Sequence, residues 1–272
     1  MKKFLTLALA ASMALSMTAC GTKTEPVQTA EETPALQELS SIVESGVLKV
    51  GYTLINPLNY FDEQSGELVG FETEFAQAVC EKLGVKAEFY EIDWDSKEIE
   101  LNSKSIDCIW NGMTITPDRA ENMSISAPYM ENRQVLVVKA GAEDKYTAFD
   151  GVKVVAEAGS AGEELAQGEE SFANAEFTPV QSQATALMEV ASGTADVAII
   201  DYVMAGSSVG EGRGYADLAI IDNGYESEEY GIAFRKGSDV TEAVNEAILT
   251  LVADGKLAEI AAKYGLEDLI LF

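Results

Sequence analysis

Three short segments of this 272-residue chain carry side chains whose types and spacing suit the capture of a small charged molecule. The first is Gly112-Met-Thr-Ile-Thr-Pro-Asp-Arg119. Thr116 is expected to cap a short helix, with Pro117 at the first helical position and Asp118 in the first turn, so that Arg119 sits at the helix start. Gly112 permits close backbone approach, and Thr114 offers a hydroxyl and an amide. Arginine is the side chain best shaped to grip a carboxylate through two parallel hydrogen bonds. Among 46 acidic side chains an arginine also has many ordinary ion-pair partners, so Arg119 alone decides little.

The second segment is Glu157-Ala-Gly-Ser160-Ala161-Gly162-Glu163, directly after the apolar run Val152 to Ala156. Ser160 and Glu163 have the spacing of a capping box. The small residues keep the turn open, so the amides of Ser160 and Ala161 can face an anion, although a plain capped helix needs the same residues. Glu157, at the strand end, either faces the same space and meets a ligand side chain or is a solvated acid. Third is Asp201, which follows the apolar run Val197 to Ile200 and can pair an ammonium. An arginine, free amides and an aspartate together complement a zwitterion.

These groups have to be positioned by an alternating α/β fold. Strands are expected at Val47 to Tyr52, Val85 to Ile92 and Ile106 to Trp110. A helix opening at Gly70-Phe71-Glu72 carries Phe71, Phe75, Val79 and Leu83 on one face and stops at Gly84. A short helix follows at Ser96 to Ser103. Near the end, Val240, Val244, Ile248 and Leu251 mark an amphipathic helix closed by Gly255, and Leu257, Ile260 and Tyr264 a last one. The segment Asn102 to Gly112 matches Ala191 to Asp201 in pattern, and the valine runs Val47 to Val50 and Val152 to Val155 each begin a strand. Two similar α/β lobes are therefore expected, 39–134 with 230–272 and 135–229. Two β-rich runs, Gln134 to Lys139 and Tyr230 to Arg235, would cross between them and leave a cleft. Ligands of open α/β sheets bind beyond the carboxyl ends of strands, where Asn111-Gly112 and Ile200-Asp201 fall.

The first nineteen residues read as a signal segment: Lys2 and Lys3 precede an apolar run too short to span a bilayer. The run ends in Leu-Ser-Met-Thr-Ala-Cys20, which resembles a lipobox, so Cys20 is expected to carry lipid and anchor the protein to a membrane. Residues 20–38 read as a solvated tether, without apolar periodicity. The formal charge of −28 disfavours nucleic acid and anionic lipid headgroups, and no nucleic-acid partner is expected. Cys80 and Cys108 lie in apolar surroundings suited to buried thiols, with a disulfide as the alternative. The chain has no histidine, which removes the commonest general base and metal ligand, and no cofactor is expected.

Taken in order, Gly66 to Glu72, Gly112 to Arg119, Ala158 to Glu163 and Glu229-Tyr-Gly-Ile-Ala-Phe-Arg-Lys-Gly-Ser-Asp239 resemble the family 3 solute-binding proteins, receptors for polar amino acids with the periplasmic-binding-protein type 2 fold. The resemblance runs from about Leu39 to Gly265. It implies that Arg119 clamps an α-carboxylate with the amides of Thr114, Ser160 and Ala161, and that Asp201, the Gly112 carbonyl and the Thr114 hydroxyl take the α-ammonium. Phe71 and an aromatic near the first strand, Tyr52, would sandwich the ligand side chain. The region Thr53-Leu-Ile-Asn-Pro-Leu-Asn-Tyr60 lacks the family's frequent aromatic before proline, which leaves side-chain specificity open. The implied partners are a free amino acid and an ABC permease with its ATPase, and the receptor itself is expected outside the cytoplasm. A dehydratase-like enzyme and a sensory module on the same fold are the competing readings.

Overall fold

The computed structural model describes residues 37–272; the expected signal 1–19, Cys20 and the tether as far as residue 36 lie outside the described residues. Helix α1 (Leu39–Ser45) leads into β1 (Val47–Tyr52), and the ribbon β2 (Tyr60–Phe61) and β3 (Leu68–Val69) precedes α2 (Phe71–Leu83). Next come β4 (Lys86–Glu91), a 3-10 turn (Trp94–Ser96), α3 (Lys97–Asn102), β5 (Cys108–Ile109), α4 (Pro117–Asn122), β6 (Met123–Ile125) and β7 (Met130–Lys139). The chain continues through β8 (Lys153–Glu157), α5 (Ala161–Gly168), β9 (Glu176–Val180), α6 (Gln183–Ser192), β10 (Val197–Asp201) and α7 (Tyr202–Ser208). It finishes with β11 (Leu218–Ile221), β12 (Ser227–Tyr230), β13 (Ala233–Arg235), α8 (Val240–Ala253) and α9 (Lys256–Lys263).

Two sheets organise these elements, one in the order β4-β1-β5-β13-β6 and the other β11-β7-β10-β8-β9. Each has a parallel core, β4-β1-β5 and β9-β8-β10, closed by antiparallel partners. Two α/β lobes result. In the first, α2 buries Phe71, Phe75 and Val79 at helical spacing against the sheet, with α8 packed alongside. Gly70 starts α2 at a φ of 131°, where an added Cβ would stand 2.1 Å from the Leu58 carbonyl oxygen. Gly84 ends it in the left-handed conformation, its N–H bonded to the carbonyls of Cys80 and Glu81.

The internal similarity extends to individual hydrogen bonds. Asp107 accepts from the Lys49 amide at 3.0 Å, and Asp196 accepts from the Lys153 amide at 3.0 Å. Each aspartate's own amide donates back to the same lysine's carbonyl, at 2.8 and 2.9 Å. Lys104 and Gly193, equivalent in the matched segments, both take positive φ, 67° and 81°. Lys49 therefore corresponds to Lys153, which aligns Val47 to Val50 with Gly151 to Val154.

Three expectations shift. The antiparallel pair between the lobes joins Met130–Arg133 of β7 to Ser227–Tyr230 of β12, a few residues before both expected runs. Gln134 to Lys139 lies wholly in the second sheet and Ala233 to Arg235 in the first, because each pairs with strands of one lobe only. The third expected strand shortens to Cys108–Ile109, the two residues that pair with β1. Glu38, the last residue of the expected tether, belongs to the folded body. Its carboxylate takes the Arg235 Nε at 2.6 Å, and its amide is capped by Asp239 at 2.8 Å. Arg235 spends its other donors on the carbonyls of Leu101 and Ile106 and on Asp107, an entirely structural use. Cys80 and Cys108 are free thiols, both buried.

Candidate functional site

Between the lobes lies a narrow, nearly closed cavity of about 10 Å³, room for about one water molecule. The first lobe contributes Asn111, Gly112, Thr114 and Arg119 to its lining, with Ile55 and Trp94 as apolar walls. The second contributes Glu157, Ser160, Ala161 and Asp201, with Gln183 beside them. The three segments singled out for their chemistry thus meet at one place.

Arg119 is where capping places it. Thr116 Oγ1 accepts the Arg119 amide at 3.3 Å, Pro117 occupies the first helical position, and the Arg119 side chain is buried. Its Nη1 donates to the Thr114 carbonyl at 2.9 Å. Its Nη2 reaches the second lobe, donating to the Gly159 carbonyl at 3.2 Å and to Glu164 Oε1 at 2.9 Å. The Glu164 side chain is 55% exposed, so this ion pair lies on the outer side of the guanidinium. The expected alternatives for Arg119, cavity group and ion-pair partner, both hold geometrically.

Lys97, which the sequence reading passed over, makes a second crossing. Its Nζ donates to the Gly159 carbonyl at 2.8 Å and to the Trp94 carbonyl at 3.2 Å, and stands 4.9 Å from the Trp94 ring centre. Burial pushes its ammonium down to about 8. One carbonyl, that of Gly159, therefore receives two cations from the opposite lobe, and the lobes are in contact over the cavity.

On the second lobe, Ser160 caps α5 by accepting the Glu163 amide at 3.2 Å. The return arm of the expected capping box lands one residue early: Glu163 Oε2 takes the Gly159 amide at 2.6 Å. The Ser160 amide turns to the Glu157 carbonyl at 3.2 Å, and Ala161 is the first helical residue on the cavity. Asp201 is buried and accepts from Gln134 Nε2 at 2.7 Å, from Asn132 Nδ2 at 2.8 Å and from Gln183 Nε2. Burial raises its carboxyl above the usual range, against these hydrogen bonds, which lower it. Glu157 is 2% exposed, and its Oε1 has no hydrogen-bond partner. Burial, and then the charge of Asp201, push it up to about 8. The solvated alternative for Glu157 is excluded.

Behind Gly112 stands a network that the sequence did not announce. Glu72 is buried and accepts the Gly112 amide at 2.8 Å, Asn59 Nδ2 at 2.9 Å and the Tyr129 hydroxyl. Burial pushes it up to about 7. Asn111 donates to Thr53 Oγ1 at 2.6 Å and accepts from Asn59 at 3.0 Å. Together these bonds hold Gly112 at a φ of 54° beside the cavity.

The two expected aromatic walls lie elsewhere. Phe71 is fully buried against Phe75 and Tyr129, with ring centres 5.7 and 6.4 Å away. Tyr52 packs edge-on against Phe89 at 6.0 Å. Phe71 shares the core face of α2 with Phe75, and one ring cannot fill the core and also wall a cleft. Trp94 takes the aromatic place, and its signal was its position just past the carboxyl end of β4. No cluster of metal-ligating side chains occurs among the described residues, nor any helix there long and apolar enough to cross a membrane.

Comparison with known proteins agrees with this architecture. The chain is 30% identical over 230 residues to the L-cystine-binding protein TcyJ of Escherichia coli K12, covering 83% of this chain and 85% of that one. A histidine-bound substrate-binding protein of an ABC uptake transporter from Streptococcus pneumoniae superposes with a TM-score of 0.79 at 31% identity, covering 86% and 98% of the two chains. The ancestral amino acid-binding protein AncCDT-1, a precursor of cyclohexadienyl dehydratase, superposes at 0.74 with 30% identity, covering 83% and 98%. With a family model matching residues 48–267, the chain belongs to the bacterial extracellular solute-binding proteins, family 3.

Proposed function

We propose that this protein is the extracytoplasmic receptor of an amino-acid ABC importer, closing its two lobes, 39–134 with 230–272 and 135–229, on one free L-amino acid. The observation that carries this is that Arg119 of one lobe and Asp201 of the other line a single cavity together with Thr114 and Ala161. Arg119 takes the α-carboxylate, helped by the amides of Thr114 and Ala161, the expected Ser160 amide being engaged by the Glu157 carbonyl. Asp201, the Gly112 carbonyl and the Thr114 hydroxyl take the α-ammonium. Trp94 and Ile55 flank the ligand side chain, in place of Tyr52 and Phe71. Glu157 faces it, and an unpartnered buried carboxyl calls for a ligand group that hydrogen-bonds, such as the amide or cationic end of a polar side chain. Relatives named for cystine and for bound histidine support a polar ligand. Cys20 carries the lipid that keeps the receptor at the membrane beside its permease and ATPase.

A thermal-shift screen of the twenty amino acids and cystine tests the reading. At 100 times its dissociation constant, the true ligand adds about 2.7 kcal/mol of stability. Glu157→Gln is expected to change the rank order of binders by a few-fold or more. No stabilisation by any of the twenty-one compounds would reject the proposal. The buried, proton-holding Glu157 and the likeness to a dehydratase precursor favour an enzyme as the second reading. Incubation with prephenate-like acids separates the two, and no turnover is expected.

A further inference from the structure

Beside Asp201, just outside the cavity, stands a second carboxylate. Glu228, on β12, accepts at Oε2 from Asn132 Nδ2 and from Gln134 Nε2, both at 3.1 Å. The same two nitrogens donate to Asp201 Oδ1 at 2.8 and 2.7 Å. A primary amide has two hydrogens, so Asn132 and Gln134 each donate one to either acid. The carboxylates are thereby held side by side by neutral groups. Glu228 Oε2 also accepts the Thr114 hydroxyl at 3.0 Å. That bond commits the Thr114 hydrogen outward and leaves the oxygen lone pairs free for an N–H donor in the cavity.

Charges on the surrounding elements do not relieve this pair. Glu72 on α2 and Glu157 on β8 each feel Asp201 as an unfavourable charge, and the neutral Tyr230 hydroxyl only partly offsets the burial of Asp201. Arg133 on β7 is engaged by Asp222 at 2.7 Å, and Glu131 and Glu229 of the same ribbon are exposed to water. Arg119 and Lys97 are gathered on the Gly159 carbonyl. Burial raises both acids, and Glu228 is raised further by Asp201. Two like charges on shared donors in a poorly hydrated site titrate as a unit, with one proton retained. Glu228 is half-buried and lines an open groove on the far side of Thr114, which gives that proton a route to water.

We infer that Asp201 and Glu228 hold one proton between them in the empty receptor, that the α-ammonium of an incoming amino acid expels it, and that Glu228 is a positioning residue acting through Thr114. The inference rests on the reading that the ammonium docks at Asp201. On docking, one carboxyl O–H bond breaks, its proton passes to solvent, Asp201 takes the ammonium, and ionised Glu228 holds the Thr114 hydroxyl in place. Affinity then falls as pH is lowered through the titration of the pair, by up to tenfold per pH unit.

The test is calorimetry at pH 6 to 8, in buffers of differing ionisation enthalpy, with whichever amino acid most raises the melting temperature. Wild type should release close to one proton more than Glu228→Gln at the same pH, and the variant should bind with a flatter pH profile. Both proteins retain Glu72 and Glu157, so the difference isolates the pair. Infrared titration of the ligand-free proteins supplies a second readout: the variant should lose a protonated-carboxyl band that wild type shows near neutrality. Equal proton counts, or an unchanged band, would overturn the inference while leaving the receptor reading intact. Absence of binding by every amino acid would instead remove the receptor reading.

Discussion

Replacing Arg119 by alanine separates its two roles, and the structure sets the size of each. For folding, the loss is confined to the Thr114 carbonyl. Gly159 keeps its bond from Lys97, and Glu164 is exposed enough to return to water. One orphaned buried carbonyl costs about 1–3 kcal/mol, which in a chain of this size lowers the melting temperature by roughly 2–10 °C. For binding, the variant leaves a desolvated ligand carboxylate unpaired, at about 2–5 kcal/mol, or roughly 30-fold to several-thousand-fold in affinity. Arg119→Lys should recover little, since a point charge cannot reproduce the planar fork that meets Thr114, Gly159 and a carboxylate together. An α-ester of the preferred amino acid should lose the same affinity on wild type and little more on the alanine variant. Calorimetry paired with thermal melts measures all of these. Wild-type affinity in a folded Arg119→Ala protein would refute the clamp.

Further outcomes follow from single features. Glu72 and Glu157, raised by burial to about 7 and about 8, keep their protons in the fold while the unfolded chain loses its own. Ligand-free stability should therefore fall as pH rises from about 4.5 to about 8. Asp217 and Asp222, held low by hydrogen bonds from Lys139 and Arg133, act oppositely and lose their contribution as pH drops below the usual carboxylate range. Thermal melts should peak near pH 5, and Glu157→Gln should flatten the alkaline limb. Cys80 is pushed up to about 12 by burial and Cys108 is raised as well, so a thiol reagent should label neither in the native protein and both in denaturant. Gly70→Ala should lower the urea midpoint by the equivalent of at least about 2 kcal/mol, because its Cβ would strike the Leu58 carbonyl at a positive φ. Cys20→Ser should appear in the medium rather than the membrane fraction, and retention would reject the anchor.

Local signals were the ones that read well. Thr116, Pro117 and Ser160 announce helix starts through residue type alone, and Arg119 and the Ala161 turn fall where those caps direct them. Asp201 was legible because an acid ending an apolar run has few other places to go. The repeat was legible as pattern, but its register needed the aspartate-to-lysine backbone bonds that only three dimensions provide. Phe71 and Glu72 were misread or missed for one reason: helical spacing tells which residues face inward, not whether inward means core, network or cleft. Glu228 gave no signal, since it is one glutamate in the run Glu226-Ser-Glu-Glu229 and its partners lie about 95 residues or more away.

The position of β13 has a consequence for how the chain is made. β6 is complete by Ile125, but its sheet neighbour is β13, at Ala233–Arg235. At typical translation speeds of about 5–20 residues per second, roughly 5–20 s separate the two on the ribosome. During that interval the first lobe lacks the strand that joins β5 to β6, and the helices α8 and α9 that cover α2 do not yet exist. A nascent chain in this condition is a poor candidate for early closure. For a protein whose family works outside the cell, late completion keeps the polypeptide threadable until nearly all of it has been synthesised.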